Sequence, residues 1–501
     1  MRSFRFMTDS TQTELRKGRL GVAGIVFFVV AASAPLIGIT GAVPVAMLLG
    51  NGAAVPGAYL AVGITLVIFS IGYAAMSPYM TNAGAFLAYV GKGLGVNAGI
   101  ASAFAALVAY ITIQLAIYGF FGVVTSAFAS GLGIDWPWYV WTLLIWVVVS
   151  ALSLLSVDIG ARVLGILLIL EVAVLVIAAV AILANGGPEG WNIGASFNPA
   201  EVFAGGFAGS AGIALAFAFA SFIGFEATAI YGEEAKNPKR TVPIATYVSI
   251  GVITLLFALV SFAMVTGMGA SQVGDKVIEL SEGLANPAGV LFGLTEQFVG
   301  GWLTFLMGVL VLTSLFAGLL AFQNASARYF FAMGRGGVLP KSLGRVNDAG
   351  SPYMGVIVTS AIAGLVIVIF AIAQLDPFLN LFSWMSSITV IAIVLVEILV
   401  SAAVIRFFMQ KGDGNLWTTK IAPGAAIVLL TLGLYLLMSR FNLLAGTAPE
   451  GVDPSLPESA WLLNPLGWFL VLLPFLALGV GYLVGRLKKD ENEHLVKDFA
   501  S

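Results

Sequence analysis

Apolar residues in this chain come in long uninterrupted runs, separated by short stretches rich in Gly, Pro and charge. A helix needs about twenty apolar residues to cross a hydrocarbon layer of about 30 Å. By that rule spans are predicted over residues 20–48, 53–76, 98–128, 137–156, 161–185 and 206–231. The second half continues with 244–269, 301–332, 354–374, 379–408, 421–439 and 464–485. In lipid the backbone must satisfy its own hydrogen bonds, so these runs are read as helices. Twelve spans put both termini on one side of the bilayer.

Lys and Arg collect in cytoplasmic loops, so the loops test this placement independently. With the N-terminus inside, the termini and even-numbered loops hold 21 of the 23 basic residues, from Arg2 through Lys92, Arg162, Lys236, Arg240, Arg335, Lys341 and Lys411 to Lys497. The opposite side holds only Lys276 and Arg440. A missed or invented helix in mid-chain would reverse part of that asymmetry. Arg16, Lys17 and Arg19 abut the first run, which is far longer than the roughly 7–15 residues of a signal-peptide core, so an uncleaved first span is expected.

Composition agrees: 59% of the 501 residues are hydrophobic, 10% are charged, and the mean hydropathy is +1.01. Soluble domains carry about 25% charged residues. The formal net charge of −2 gives no reason to expect nucleic acid as a partner. With no Cys and a single His494 in the polar tail, disulfides, iron–sulfur ligation and Cys/His zinc sites have no ligands. The expected organisation is a tail over 1–19, a transporter core over 20–410, two further helices within 411–485 and a tail over 486–501, both tails cytoplasmic.

Two predicted spans are unsuited to an unbroken helix. The first contains Ser33-Ala34-Pro35-Leu36-Ile37-Gly38-Ile39-Thr40-Gly41-Ala42-Val43-Pro44. Proline removes a donor and glycine eases departure from helical dihedrals, so this segment either breaks or kinks. A break at membrane depth survives only where the freed backbone faces a cavity or a solute. The sixth span carries Glu226 after Ala220-Ser221-Phe222-Ile223-Gly224-Phe225. A carboxylate on a lipid face costs on the order of 2.5–3.5 kcal/mol, so Glu226 should face the interior, as a functional group or as a buried structural acid. Breaks in spans one and six would sit at equivalent positions of two five-helix halves, the arrangement of inverted-repeat carriers. Half-helix N-termini then meet anionic solute groups, and freed carbonyls meet cations.

After the sixth span comes Tyr231-Gly232-Glu233-Glu234-Ala235-Lys236-Asn237-Pro238-Lys239-Arg240-Thr241-Val242-Pro243. This run resembles the loop of the amino acid, polyamine and organocation (APC) permeases. Asn82-Ala83-Gly84-Ala85-Phe86 with Tyr89, and Asn324-Ala325-Ser326-Ala327-Arg328 with Met333-Gly334-Arg335, extend the resemblance over roughly residues 18–410. It implies an all-α membrane fold: a five-plus-five inverted repeat with broken helices 1 and 6, plus two appended helices. It also implies a substrate site made by Ser33, Ala34, Gly38, Ile39, Thr40 and Gly41 of helix 1. Ala220, Ser221, Phe222, Ile223 and Gly224 of helix 6 would complete it, faced by Ala109, Tyr110 and Gln114 of helix 3. Many members carry Gly-x-Gly in helix 1, whereas this chain offers Gly38-Ile39-Thr40-Gly41. Phe222 and Phe225 are candidate gate aromatics, with ordinary packing as the alternative.

Glu171 in span five stands where many members place a lysine, and is a candidate proton site or counter-charge; Glu226 is a further coupling or gating candidate. Thr313 and Ser314 resemble the hydroxyl pair that coordinates sodium in related carriers, against the alternative of back-bonding to their own helix. Glu397 is a third acid within a span, with no role beyond an interhelical hydrogen bond. The expected activity is secondary transport of an amino acid across the cytoplasmic (inner or plasma) membrane by alternating access, coupled to H+. Alternatives are a polyamine or other amine importer or exchanger, or a Na+-coupled symporter. No Gly-x-x-x-x-Gly-Lys-Ser/Thr loop occurs, no metal or other cofactor is expected, and the three scattered acids do not make an enzyme site.

Overall fold

In the computed structural model, which describes residues 21–80, 85–155, 161–226, 228, 235–347 and 351–488, the regular structure is helical. Nearly all of the two predicted tails, with His494, and residues 82–84 and 231–234 of the quoted motifs lie outside the described residues. Among those described, nine helical stretches are long and apolar enough to cross a membrane: Val22–Tyr79, Val96–Ser130, Gly165–Asn185, Lys239–Met268, Gly301–Arg335, Tyr353–Ile372, Pro377–Lys411, Trp417–Ser439 and Pro465–Leu487. Trp138–Leu154 and Ala211–Phe222 are shorter apolar helices.

The Val22–Tyr79 stretch, 58 residues long, is not one rod. Helix Val22–Ser33 ends at Ala34, helical turns resume at Pro35, and Gly50 and Gly52 leave helical dihedrals before helix Val55–Met76 begins. Glycine tolerates such values without the steric cost of a Cβ. Ala85–Leu94 and Val96–Ser130 are separated at Gly95. Residues 270–300, expected as a loop, instead hold helices Val273–Leu280 and Ala288–Phe298, too short for the apolar-run rule to register.

Of the nine span-length stretches, those over Val96–Ser130 and Pro377–Lys411 are the most enclosed; Thr389 Oγ1 contacts Thr112 Oγ1 at 2.7 Å and donates to the Ala109 carbonyl at 3.3 Å between them. Small residues let backbones approach where lipid offers no hydrophobic drive to associate. A Cβ on Gly355 would stand 2.5 Å from the Ala327 carbonyl oxygen, and one on Gly93 would collide with the Ala403 backbone. The outer helices turn large apolar side chains outward, among them Leu144, Ile169, Leu255, Phe305, Leu365 and Leu476, the surface expected against acyl chains.

Candidate functional site

The two interruptions in the apolar helices lie against each other. Ala34 adopts the left-handed region (φ 42°, ψ 68°), and its N–H still reaches the Ala31 carbonyl at 3.2 Å. Pro35 starts the next helical segment at N1, where its missing N–H costs nothing, and no side chain caps that start. The uncapped first turn leaves donors pointing out of the helix end, with the partial positive charge of its dipole. In the other segment, helix Ala211–Phe222 stops and residues 223–226 unwind around Gly224 at φ 107°. A Cβ on Gly224 would stand 2.7 Å from the Ala32 Cβ, so the turn is built directly on the first helix.

The unwinding expected across 33–41 is confined to Ala34. Gly38–Ala42 stays helical with widened π turns, which keep backbone bonds internal, and Thr40 Oγ1 donates to the Leu36 carbonyl at 2.6 Å. Ser33 Oγ likewise donates to Val30 O at 2.8 Å, Ile39 is fully buried, and Gly41 packs on the Phe120 ring. Gly38 sits against the Phe257 ring and Ser221 Oγ, where a side chain would not fit. In the sixth segment Ala220, Ser221 and Phe222 remain helical, and the break begins one residue later, at Ile223. Ser221 Oγ donates to Phe217 O at 2.9 Å and lies 3.2 Å from Tyr59 Oη.

Glu226 closes this second break and is buried. Its Oε2 accepts the Gly224 N–H at 2.8 Å, its Oε1 accepts the Tyr110 hydroxyl at 3.0 Å, and its carbonyl accepts the Tyr73 hydroxyl at 2.7 Å. A buried acid needs such donors, because an unpaired one carries its full desolvation penalty. Tyr110 therefore reaches the break, whereas the Ala109 carbonyl accepts from Thr389 Oγ1 at 3.3 Å on helix Ser383–Lys411. Gln114 is engaged elsewhere: its Nε2 donates to Gln323 Oε1 at 2.5 Å, and Gln323 passes the bond on to Ser360 Oγ at 2.8 Å. Phe225 packs edge-on against Phe69 at 5.9 Å, and Phe222 is buried. A second aromatic group, Phe217, Phe378 and Phe382 with Phe120, stacks nearby, Phe378 and Phe382 at 4.7 Å and 9°.

Glu171 is buried and accepts the Ser314 hydroxyl at 3.0 Å, tying helix Ala161–Asn185 to helix Gly301–Arg335. Thr313 does not join it; its hydroxyl bonds back to the Leu310 carbonyl at 2.9 Å. Among the described residues no group of three or more His, Cys, Asp or Glu side chains could hold a metal ion. Tyr59, Tyr73 and Gln323 were not anticipated from sequence, since a tyrosine or glutamine in an apolar run signals polarity but not its partner.

Amino acid permeases as a family match residues 20–471, which spans both breaks, the Glu226 turn and the Glu171–Ser314 tie. The chain belongs to the amino acid permease family. This permease is 27% identical over 355 residues to the branched-chain amino acid permease BcaP of Lactococcus lactis, covering 68% of this chain and 72% of that one. It is 26% identical over 250 residues to the histidine permease of Saccharomyces cerevisiae, covering 49% of this chain and 40% of that protein. Over 194 residues it is 25% identical to the L-lysine transport protein of Corynebacterium glutamicum, covering 38% of this chain and 35% of that one. The permease thus spans well under two thirds of these last two relatives. Family and relatives are membrane transporters rather than enzymes. The permease is a multi-pass membrane protein.

Proposed function

We propose that this permease carries a neutral α-amino acid with an apolar side chain across the cytoplasmic membrane by alternating access. It does so through twelve spans in two inverted five-helix halves plus two appended helices, with both termini cytoplasmic. The observation that carries this reading is the meeting of the Ala34 and Gly224 breaks. The uncapped helix start at Pro35 suits a carboxylate, and the carbonyls ending helices Val22–Ser33 and Ala211–Phe222 suit an ammonium group. Relatives named for branched-chain, histidine and lysine substrates have the α-amino carboxylate in common. Apolar Ile37, Ile223 and Phe222 support a neutral side chain, as does Glu226, whose oxygens are already taken by protein donors.

Coupling is to protons, with Glu171 as the loading site. Ser314 spends its hydroxyl proton on Glu171, and Thr313 bonds its own helix, an arrangement that favours a protonatable acid over a sodium ion held by the hydroxyl pair.

Counterflow in proteoliposomes tests the assignment. Saturable exchange of labelled leucine or valine, undiminished when choline replaces sodium, is expected. Exchange of lysine or a polyamine with none of leucine would overturn the neutral-substrate reading, and sodium dependence would overturn the proton.

A further inference from the structure

Glu397 lies on helix Ser383–Lys411, is 2% exposed, and its Oε2 is buried with no hydrogen-bond partner. Burying an unpaired carboxylate oxygen costs several kcal/mol unless the group is neutral or meets a cation. A second feature bears on it independently. Glu226 follows the end of helix Ala211–Phe222, which packs against helix Ser383–Lys411, so a second buried acid lies on a neighbouring segment. Among the described residues no Lys is buried, and the one buried Arg, Arg440, bonds the 454–459 loop instead.

The titratable groups buried on elements packed against helix Ser383–Lys411 are Tyr59 and Tyr73 on Val55–Met76, Tyr89 on Ala85–Leu94, Tyr110 and Tyr118 on Val96–Ser130, and Glu226 past the end of Ala211–Phe222. The charged groups on those elements are not buried: Lys92, which is tied to the Tyr79 carbonyl at 2.7 Å, Lys420 and Arg486. Neighbouring carboxylates without a counter-cation do not both ionise in a dry interior. A metal ion is a poor solution, since both Glu226 oxygens already accept protein donors and two carboxylates fall short of a cage.

We propose that Glu397 is a second proton-carrying residue of this permease, holding a proton on its carboxyl while Glu226 is ionised at the helix break. In the cycle the proton leaves Glu397 Oε2 and joins a Glu226 oxygen. That oxygen, as O–H, no longer accepts from Tyr110 or from the Gly224 N–H. The break then loses one of its ties, and a charge-neutral Glu226 sits beside an ionised Glu397. The proposal rests on the carrier reading above but not on Glu171 being the loading site.

Wild-type counterflow comes first, because its failure with all amino acids and amines sinks the carrier reading by itself. The proposal is tested by infrared difference spectroscopy in an E171Q background, which removes the other candidate acid. The carbonyl stretch of a protonated carboxylic acid is expected at neutral pH, lost in E397Q and present in E226Q. Substrate-induced proton movement, read with a trapped pH dye, is expected to fall several-fold in E397Q and to recover in E397D. Absence of the carboxylic acid band, or a band unchanged in E397Q, overturns the proposal. Should E397Q not fold, E397D decides it, since a shorter carboxyl must shift the band if Glu397 carries the proton.

Discussion

Glu226 and Arg440 are both 1% exposed, yet they are bonded in opposite ways. Arg440 Nη1 donates to the Leu456 carbonyl at 2.8 Å and Nη2 to the carbonyls of Pro454 and Ser455 at 2.8 and 3.1 Å. Every partner lies within one loop, and Asn442 Nδ2 adds a bond to the Ser459 carbonyl at 2.8 Å. That cation closes a local knot. Glu226 is tied through Tyr73 and Tyr110, which stand 153 and 116 residues away, and through Gly224 in its own turn. A charge whose partners belong to different helices is satisfied only while those helices keep their relative positions. In the proposed alternating-access cycle such a group would resist the relative motion of its helices. A charge wrapped by its own loop stabilises without sensing that motion.

If this contrast holds, damage at the break should cost transport more than stability, and damage at the knot the reverse. Gly224→Val places a branched side chain at φ 107° with its Cβ 2.7 Å from Ala32. Displacing a positioned solute group by about 1 Å can cost on the order of 10²-fold in rate. Counterflow is expected to fall by about that factor, while the backbone strain itself costs only about 1–3 kcal/mol. Near-normal exchange in this variant would separate the break from the transport path.

Glu171→Gln should leave solute binding measurable by thermal shift but abolish accumulation driven by a pH gradient; unchanged accumulation would take Glu171 out of the coupling. Arg440→Met removes the charged donor to three part-buried carbonyls and should lower stability by about 1.5–3 kcal/mol, seen as a fall in unfolding temperature. The half-saturation of counterflow should stay the same, and a shift there would break the comparison.

The smallest effect is expected at Glu189, whose carboxylate is bonded by the hydroxyl and the N–H of Ser271 and is held below the usual carboxylate range. A lowered value in the folded state contributes stability above the unfolded value, and that contribution is lost as pH falls through the folded one. Wild type should therefore unfold slightly above Ser271→Ala near neutral pH, with the difference closing under acid. A difference that grows with acidification would contradict the assigned sign. Glu189 is exposed, so solvent screening keeps the effect small.

Apolar runs made the helices legible because lipid permits little else, and Pro35 and Gly224 marked segments unsuited to an unbroken helix. The first break is narrower than expected, a single residue at Ala34 within 33–41, and the sixth-span break starts at Ile223 rather than Ala220. Gly38 and Gly41 drew attention as possible points of departure, yet π turns kept them helical, and Ala34, without a glycine's freedom, took the left-handed position. Proline at N1 restarts a helix at no cost, so the interruption settled just before it. Helices Val273–Leu280 and Ala288–Phe298 escaped notice because they are short and their apolar faces are one-sided.

From the sequence alone follow membrane residence, helical structure, the breakable segments and the presence of three acids in apolar surroundings, all consequences of transfer free energies that act residue by residue. Which donors those acids meet was decided only by tertiary structure. Tyr110 reaches Glu226 across 116 residues, Ser314 reaches Glu171 across 143, and Gln114 turns to Gln323 across 209. Hydrogen bonds are directional and span about 3 Å, so they depend on how helices pack and rotate, which no local run of residues encodes.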